Sequence, residues 1–292
     1  MSIPKRYKGI IYICISALCF AFMAAFVRLS GDLPTFQKTF FRNFVALFFA
    51  AGVLIKQRIP LRLGEKKLLF PLVVRALAGT VGMIGNFYAI DHLVLSDASM
   101  LNKMSPFFAI VFSYIILKEK LTLFQLSAVI IAFGGSLLII KPSLSNVDLL
   151  PALAGFAGGM GAGLAYTCVH YLGQHGVKGP LIVAFFSAFS CLFCLPFLIV
   201  DFKPMSAAQL LCLLGAGASA AGGQFTITAA YTHAPAREIS IYDYSQLIFS
   251  TTLGFFLFGD IPDLWSFIGY AVIITMAVVN FIYNNKRHDS VR

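Results

Sequence analysis

Residues 82–92, GMIGNFYAIDH, and residues 223–233, GQFTITAAYTH, carry the reading that decides the fold. One fixed offset of 141 positions lays Gly82 on Gly223, Ala89 on Ala230 and His92 on His233; carried further, it lays Glu119 on Asp260 and Phe124 on Trp265. Working outward, apolar runs long enough to span a bilayer, about 20 residues each, are predicted at 9–29, 35–55, 68–90, 97–117, 122–140, 150–171, 179–200, 207–231, 238–258 and 264–284. Each half holds five, an odd number, so the second copy enters the membrane from the opposite side. The predicted fold is therefore all-α: a polytopic membrane protein of ten transmembrane helices in two inverted five-helix repeats, 1–145 and 146–292. Inverted repeats are an architecture of secondary transporters, with the substrate site near the midplane where the halves meet.

Composition excludes most alternatives. The chain is 59% hydrophobic and 12% charged, against roughly 25% charged residues in a soluble domain. Little remains outside the spans, and there is no phosphate-cradling Gly-rich loop ending in Gly-Lys-Ser/Thr, so transport driven by ATP on this chain is not expected. Of the 22 lysines and arginines, Arg42, Arg75 and Lys103 fall inside spans, and Arg28, Lys38, Lys141 and Lys203 fall on the face opposite the N-terminus. The rest share the N-terminal face, which places both termini in the cytoplasm of a multi-pass inner-membrane protein. The net charge of +10 is thus a topology signal, and no nucleic-acid partner is expected. The basic start before an apolar run imitates a secretory signal, but it is long enough to span and reads as an uncleaved first helix.

The six cysteines all lie in predicted spans. Cys191-x-x-Cys194 has metal-like spacing without a second pair, so these residues read as small apolar fillers; no metal and no cofactor is called for. Small residues recur every four positions at Gly155, Gly159 and Gly163, at Gly215, Ser219 and Gly223, and at Ala78, Gly82 and Asn86. Such ladders let helix backbones approach closely, as scaffolding or as contacts along which two bundles rock.

Charges inside the spans carry the functional argument, because each must snorkel, pair or face water. Arg42, Arg75, Lys103 and Asp243 are those charges. Arg42 lies roughly 10 Å deep at about 1.5 Å per residue, and Arg75 lies at a similar depth from the other face. The offset maps Asn102 onto Asp243 and Lys103 onto Tyr244, at mirrored depths. Lys103 and Asp243 are then expected to lie on the order of 10–15 Å apart along the membrane normal, too far for an ion pair, with Arg75 the available partner of Asp243. The outer half of the cavity is predicted net positive and suited to a carboxylate or phosphate. Asp243, with Asp97 and Glu238 at span entrances, is a candidate for carrying coupling protons. Asn86, Tyr88, Ser105, Gln224, Thr228, Tyr244 and Gln246 add polar groups that need partners, either a polar ligand or one another. Pro106 frees a backbone acceptor, as a hinge or a tolerated kink. Trp265 and Tyr270 read as interface anchors and packing.

These residues carry a resemblance. Arg75-Ala-Leu-Ala-Gly-Thr, Phe87-Tyr-Ala-Ile-Asp-His-Leu-Val-Leu-Ser-Asp-Ala-Ser, Ser105-Pro-Phe-Phe-Ala and Leu117-Lys-Glu-Lys-Leu-Thr resemble the drug/metabolite transporter superfamily, EamA-type branch. The second half repeats the pattern more loosely in Ala230-Tyr-Thr-His-Ala-Pro-Ala, Tyr242-Asp-Tyr-Ser-Gln and Phe258-Gly-Asp-Ile-Pro-Asp-Leu-Trp. The resemblance implies a central cavity lined mainly by helices 1, 3, 4, 6, 8 and 9, and small metabolites as cargo. Tyr242-Asp-Tyr-Ser-Gln with Phe-Gly-Asp-Ile-Pro-Asp is similar to the branch of S-adenosylmethionine and organic-anion carriers. Leu247 stands where that pattern has a proline opposite Pro106, which argues against symmetric hinging of spans 4 and 9. Glu119 and Asp260 match an acidic residue at a helix end, read as capping or loop anchoring.

The expected function is secondary active transport of a small polar metabolite, an organic anion or zwitterion, by alternating access. A proton, ion or counter-substrate would supply the drive, and assembly as a homodimer is left open. The alternative is export of amino acids or other neutral or amphipathic metabolites, or an S-adenosylmethionine-type carrier. A membrane enzyme would need clustered His, Asp or Ser that the five histidines do not form, and a channel would need rings of like charge or a carbonyl filter.

Overall fold

A computed structural model describes residues 5–61, 64–118, 122–140, 149–233 and 240–289. Among them the chain is helical and no strand occurs, the expected outcome where lipid leaves backbone groups no outside partner. The helices are α1 (Lys5–Leu29), α2 (Thr35–Lys56), α3 (Leu69–His92), α4 (Leu95–Asn102), α5 (Ser105–Leu117), α6 (Leu123–Ile140), α7 (Leu149–Gln174), α8 (Gly179–Val200), α9 (Ala207–His233), α10 (Ser245–Phe258) and α11 (Leu264–Asp289). By length and composition, eight helical stretches of the described residues can cross a membrane, with α4 and α5 together making one of them. Leu126–Ile139 in α6 is a shorter apolar helix, and a 3-10 turn, Ser240–Tyr244, leads into α10. Glu119, Glu238 and the junction between the two predicted repeats lie outside the described residues.

Burial is inverted relative to a soluble protein. Lys38 is 1% exposed, while Phe70 is 77% and Phe256 78% exposed. Surface of that kind on a monomer marks a lipid or partner contact, and with eight span-length helices it makes this an all-α polytopic membrane protein.

Two long helix pairs form the frame, α3 along α7 and α1 along α9. The small-residue ladders make the first pair close. A Cβ on Gly82 would stand 3.0 Å from the Gly158 carbonyl oxygen, and one on Gly161 would stand 2.7 Å from that of Ala78. The backbones touch, as small-residue interfaces in lipid require.

The fourth predicted span is not continuous. Pro106 has no N–H for the Asn102 carbonyl, and α4 ends there. The chain passes Lys103–Met104 in a tighter turn, with Met104 N–H on Leu101 O at 3.2 Å and Phe107 N–H on Met104 O at 3.0 Å, before α5 begins. The ninth span carries its own irregularity, the 3-10 turn, although Leu247 replaces the proline. Polar contacts tie that turn to the first break: Lys103 Nζ lies 2.6 Å from Asp243 Oδ2, and the Tyr244 hydroxyl donates to Lys103 O at 3.1 Å. Both half-spans also end alike, with left-handed Lys118 (φ 55°) after α5 and left-handed Gly259 (φ 68°) after α10. At Gly259 the N–H bonds the Phe255 carbonyl at 3.1 Å, the 5→1 bond of an αL cap.

Candidate functional site

A cavity of about 100 Å³ opens where α1, α2, α3, α7, α8, α9 and α10 converge on the α4–α5 break. It gathers six of the residues predicted from sequence: Arg42, Arg75, Asn86, Lys103, Gln224 and Gln246. Asp243 stands behind Lys103 as its ion-pair partner, and Tyr244 braces the Lys103 carbonyl. Tyr88 and Ser105 do not line the cavity: Ser105 is buried where α5 begins, and the Tyr88 ring lies 4.3 Å from that of His92. The side chain of Thr228 lies outside those described.

The Lys103–Asp243 contact overturns the expected separation. That expectation took both spans as straight rods with side chains at the depth of their Cα atoms. The rods are broken at these positions, and the long lysine stem reaches across. Residues matched by the offset are therefore neighbours rather than distant mirror images. The expected Arg75–Asp243 pair does not form either, and the charge of Lys103 is spent on Asp243.

Arg42 from α2 and Arg75 from α3 are 3% and 4% exposed. Neither has a carboxylate within ion-pair distance among the described residues. Arg42 Nη1 donates to Asn43 Oδ1 at 2.8 Å, and Asn43 Nδ2 is itself anchored on Thr39 O at 2.9 Å. The Nε of each arginine has no hydrogen-bond partner, and neither has Asn86 Oδ1. What faces both cations is a ring: the Phe186 centroid lies 4.0 Å from Arg75 Cζ and 5.9 Å from Arg42 Cζ. A ring face attracts a buried guanidinium by about 2 kcal/mol without cancelling its charge. Gly79 makes the slot, since a Cβ there would stand 2.5 Å from Arg75 Nη1 and 3.0 Å from Phe186 Cε2.

Sequence reasoning missed Phe186, Tyr166 and Gly79. Phe186 is one of 30 phenylalanines, and nothing local distinguishes it or Tyr166. Gly79 did leave a signal, because it sits four residues after Arg75 and so on the same helical face. The helices expected to line the cavity also prove incomplete: spans 2 and 7 contribute Arg42 and Phe186.

Other predicted residues serve elsewhere. Asp97 accepts hydrogen bonds from the Tyr270 hydroxyl and, at 3.1 Å, from Ser266 Oγ, which ties α4 to α11. Tyr270 is thus buried and bonded rather than an interface anchor, while Trp265 is exposed. Asp260 holds Arg28 in an ion pair and accepts the Leu95 N–H at 3.0 Å. Lys38, counted from sequence on the face opposite the N-terminus, is buried against Asp91 at 2.6 Å.

A bundle of membrane-crossing helices around a buried, cation-lined cavity defines a membrane transport protein, and comparison with known proteins agrees. Residues 7–141 match the EamA-like transporter family. An uncharacterized transporter of Helicobacter pylori (strain J99 / ATCC 700824) is 30% identical over 279 residues, covering 91% of this chain and 92% of that one. A pseudopaline exporter, CntI, of Pseudomonas aeruginosa (strain UCBPP-PA14) is 28% identical over 281 residues, covering 93% and 95%. A solved crystal structure superimposes with a TM-score of 0.67 at 16% identity, over 94% of this chain and 98% of the other, which shows a shared fold. The chain belongs to the EamA-like transporter family.

Proposed function

We propose that the protein is a secondary active transporter of a small organic anion, working by alternating access between two inverted five-helix repeats, 1–145 and 146–292, in the cytoplasmic membrane with both termini inside. The observation that carries this reading is the arginine pair. Two guanidinium groups buried without a carboxylate are costly, and an anion arriving between the halves relieves that cost. The repeat is supported by the left-handed helix ends at Lys118 and Gly259, which stand at the sequence offset, and by irregular turns in the first third of both matched spans. Asp243 remains the candidate for carrying a coupling proton, because it touches the cavity wall through Lys103; Asp97 is tied into α11 instead. Export is the favoured direction, since a relative aligned over nearly the whole chain is named an exporter.

Thermal unfolding of the purified protein against organic acids, sugar phosphates, amino acids and S-adenosylmethionine tests this. A ligand that binds only the folded state raises Tm by mass action. An anion should stabilise the wild type and stabilise Arg42→Gln and Arg75→Gln less. Stabilisation by neutral or cationic compounds alone would overturn the reading and favour the amino-acid or S-adenosylmethionine alternative.

A further inference from the structure

The charges around the cavity do not balance. Lys103 and Asp243 are locked at 2.6 Å and contribute no net charge. Arg42 and Arg75 remain, each nine-tenths or more buried, each with an unpartnered Nε, and both lining the cavity. Both face the Phe186 ring, which orients them and leaves their charge intact. The remaining described cavity wall is neutral: Asn86, Ser99, Asn102, Tyr166, Gln224, Gln246 and groups without a polar side chain. In a low-dielectric site each uncompensated charge is expensive, so the occupant that restores neutrality carries two negative charges.

Resting on the anion-transport reading, we infer that the cavity binds a dianionic group, a dicarboxylate or a phosphate monoester, gripped by Arg42 and Arg75 on the face of Phe186, with the Lys103–Asp243 pair outside the grip. Guanidinium forks suit either chemistry, since both carboxylate and phosphate accept paired N–H donors. Lys103, the anion-binding lysine expected from sequence, becomes a structural partner. Phe186 positions the arginines, whose guanidiniums lie over its ring, and its loss should weaken both di- and monoanion binding as the guanidiniums splay.

The test uses full-length protein in lipid nanodiscs at pH 8, where a phosphate monoester with a second pKa near 6 is doubly charged. Binding is measured for succinate against its monomethyl ester, and for glycerol 3-phosphate against its methyl diester. The dianion of one series should bind at least about tenfold more tightly than its monoanion, the scale that Coulomb interactions reach at an intermediate dielectric. Which series shows the preference distinguishes carboxylate from phosphate. Arg42→Gln and Arg75→Gln should each erase the preference while keeping monoanion binding. Arg42→Lys, which keeps the charge, should retain it at lower affinity and guards against misreading a folding defect. The double variant Lys103→Gln/Asp243→Asn, which removes one charge of each sign, should also retain it. Equal binding of mono- and dianions, or a preference that survives both arginine-to-glutamine variants, overturns the dianion inference and leaves the anion reading standing. Absence of binding by all four compounds overturns both.

Discussion

Arg75 shows how one side chain comes to be usable. A guanidinium buried in a membrane protein ordinarily finds a carboxylate; this one finds a ring at 4.0 Å and a gap left by Gly79. Gly79→Ala separates positioning from folding. The new methyl would meet the far end of Arg75 at 2.5 Å, and a flexible side chain yields more readily than backbone. Helix propensity favours alanine by about 1 kcal/mol. The variant should therefore melt within a few degrees of wild type yet bind the anion about tenfold more weakly, as Tm and titration calorimetry on the same sample would show. Undiminished binding would remove Arg75 from the site. Arg75 was legible as a candidate because charge in an apolar run is conspicuous. Its freedom from a partner was not, because partners come from other helices.

At the scale of elements, the breaks in spans 4 and 9 do the arranging. Pro106 announced the first in the sequence; nothing announced the second, where a leucine replaces the proline. Both turns meet through the Lys103–Asp243 pair and the Tyr244–Lys103 hydrogen bond. Removing one partner strands a buried charge, a cost of about 3–5 kcal/mol. Lys103→Ala should lower Tm sharply, whereas Lys103→Gln/Asp243→Asn, which leaves no bare charge, should recover most of the loss. Equal damage in both variants would show that the pair does not hold the turns together. The small-residue ladders were read correctly as close contacts, because four-residue spacing places residues on one helical face whatever the partner.

For the whole molecule, three polar links between the N- and C-terminal halves lie at the end bearing the α1–α2 and α3–α4 turns. Asp260 holds Arg28 and the Leu95 N–H, Gln37 exchanges two hydrogen bonds with the Lys203 backbone, and Gln209 donates to Ser30 O. That end is shut. If the halves rock, these links must part once per cycle. Replacing Arg28 and Asp260 with cysteines and cross-linking them should arrest transport in proteoliposomes, and reduction should restore it. Transport that persists through a verified cross-link would mean that this end does not open.

The sequence by itself determined that the chain is a membrane-crossing helical bundle, where most spans lie and which charges are out of place in lipid. Those are consequences of local hydrophobicity and backbone geometry, readable a segment at a time. The tertiary structure decided who meets whom: Lys103 with Asp243, Lys38 with Asp91, Asp97 with Tyr270, and the two arginines with Phe186 instead of an acid. Each depends on where a helix breaks and how far a side chain reaches across a gap. Helical periodicity fixes the face on which a residue sits, but not the neighbour that packs against that face.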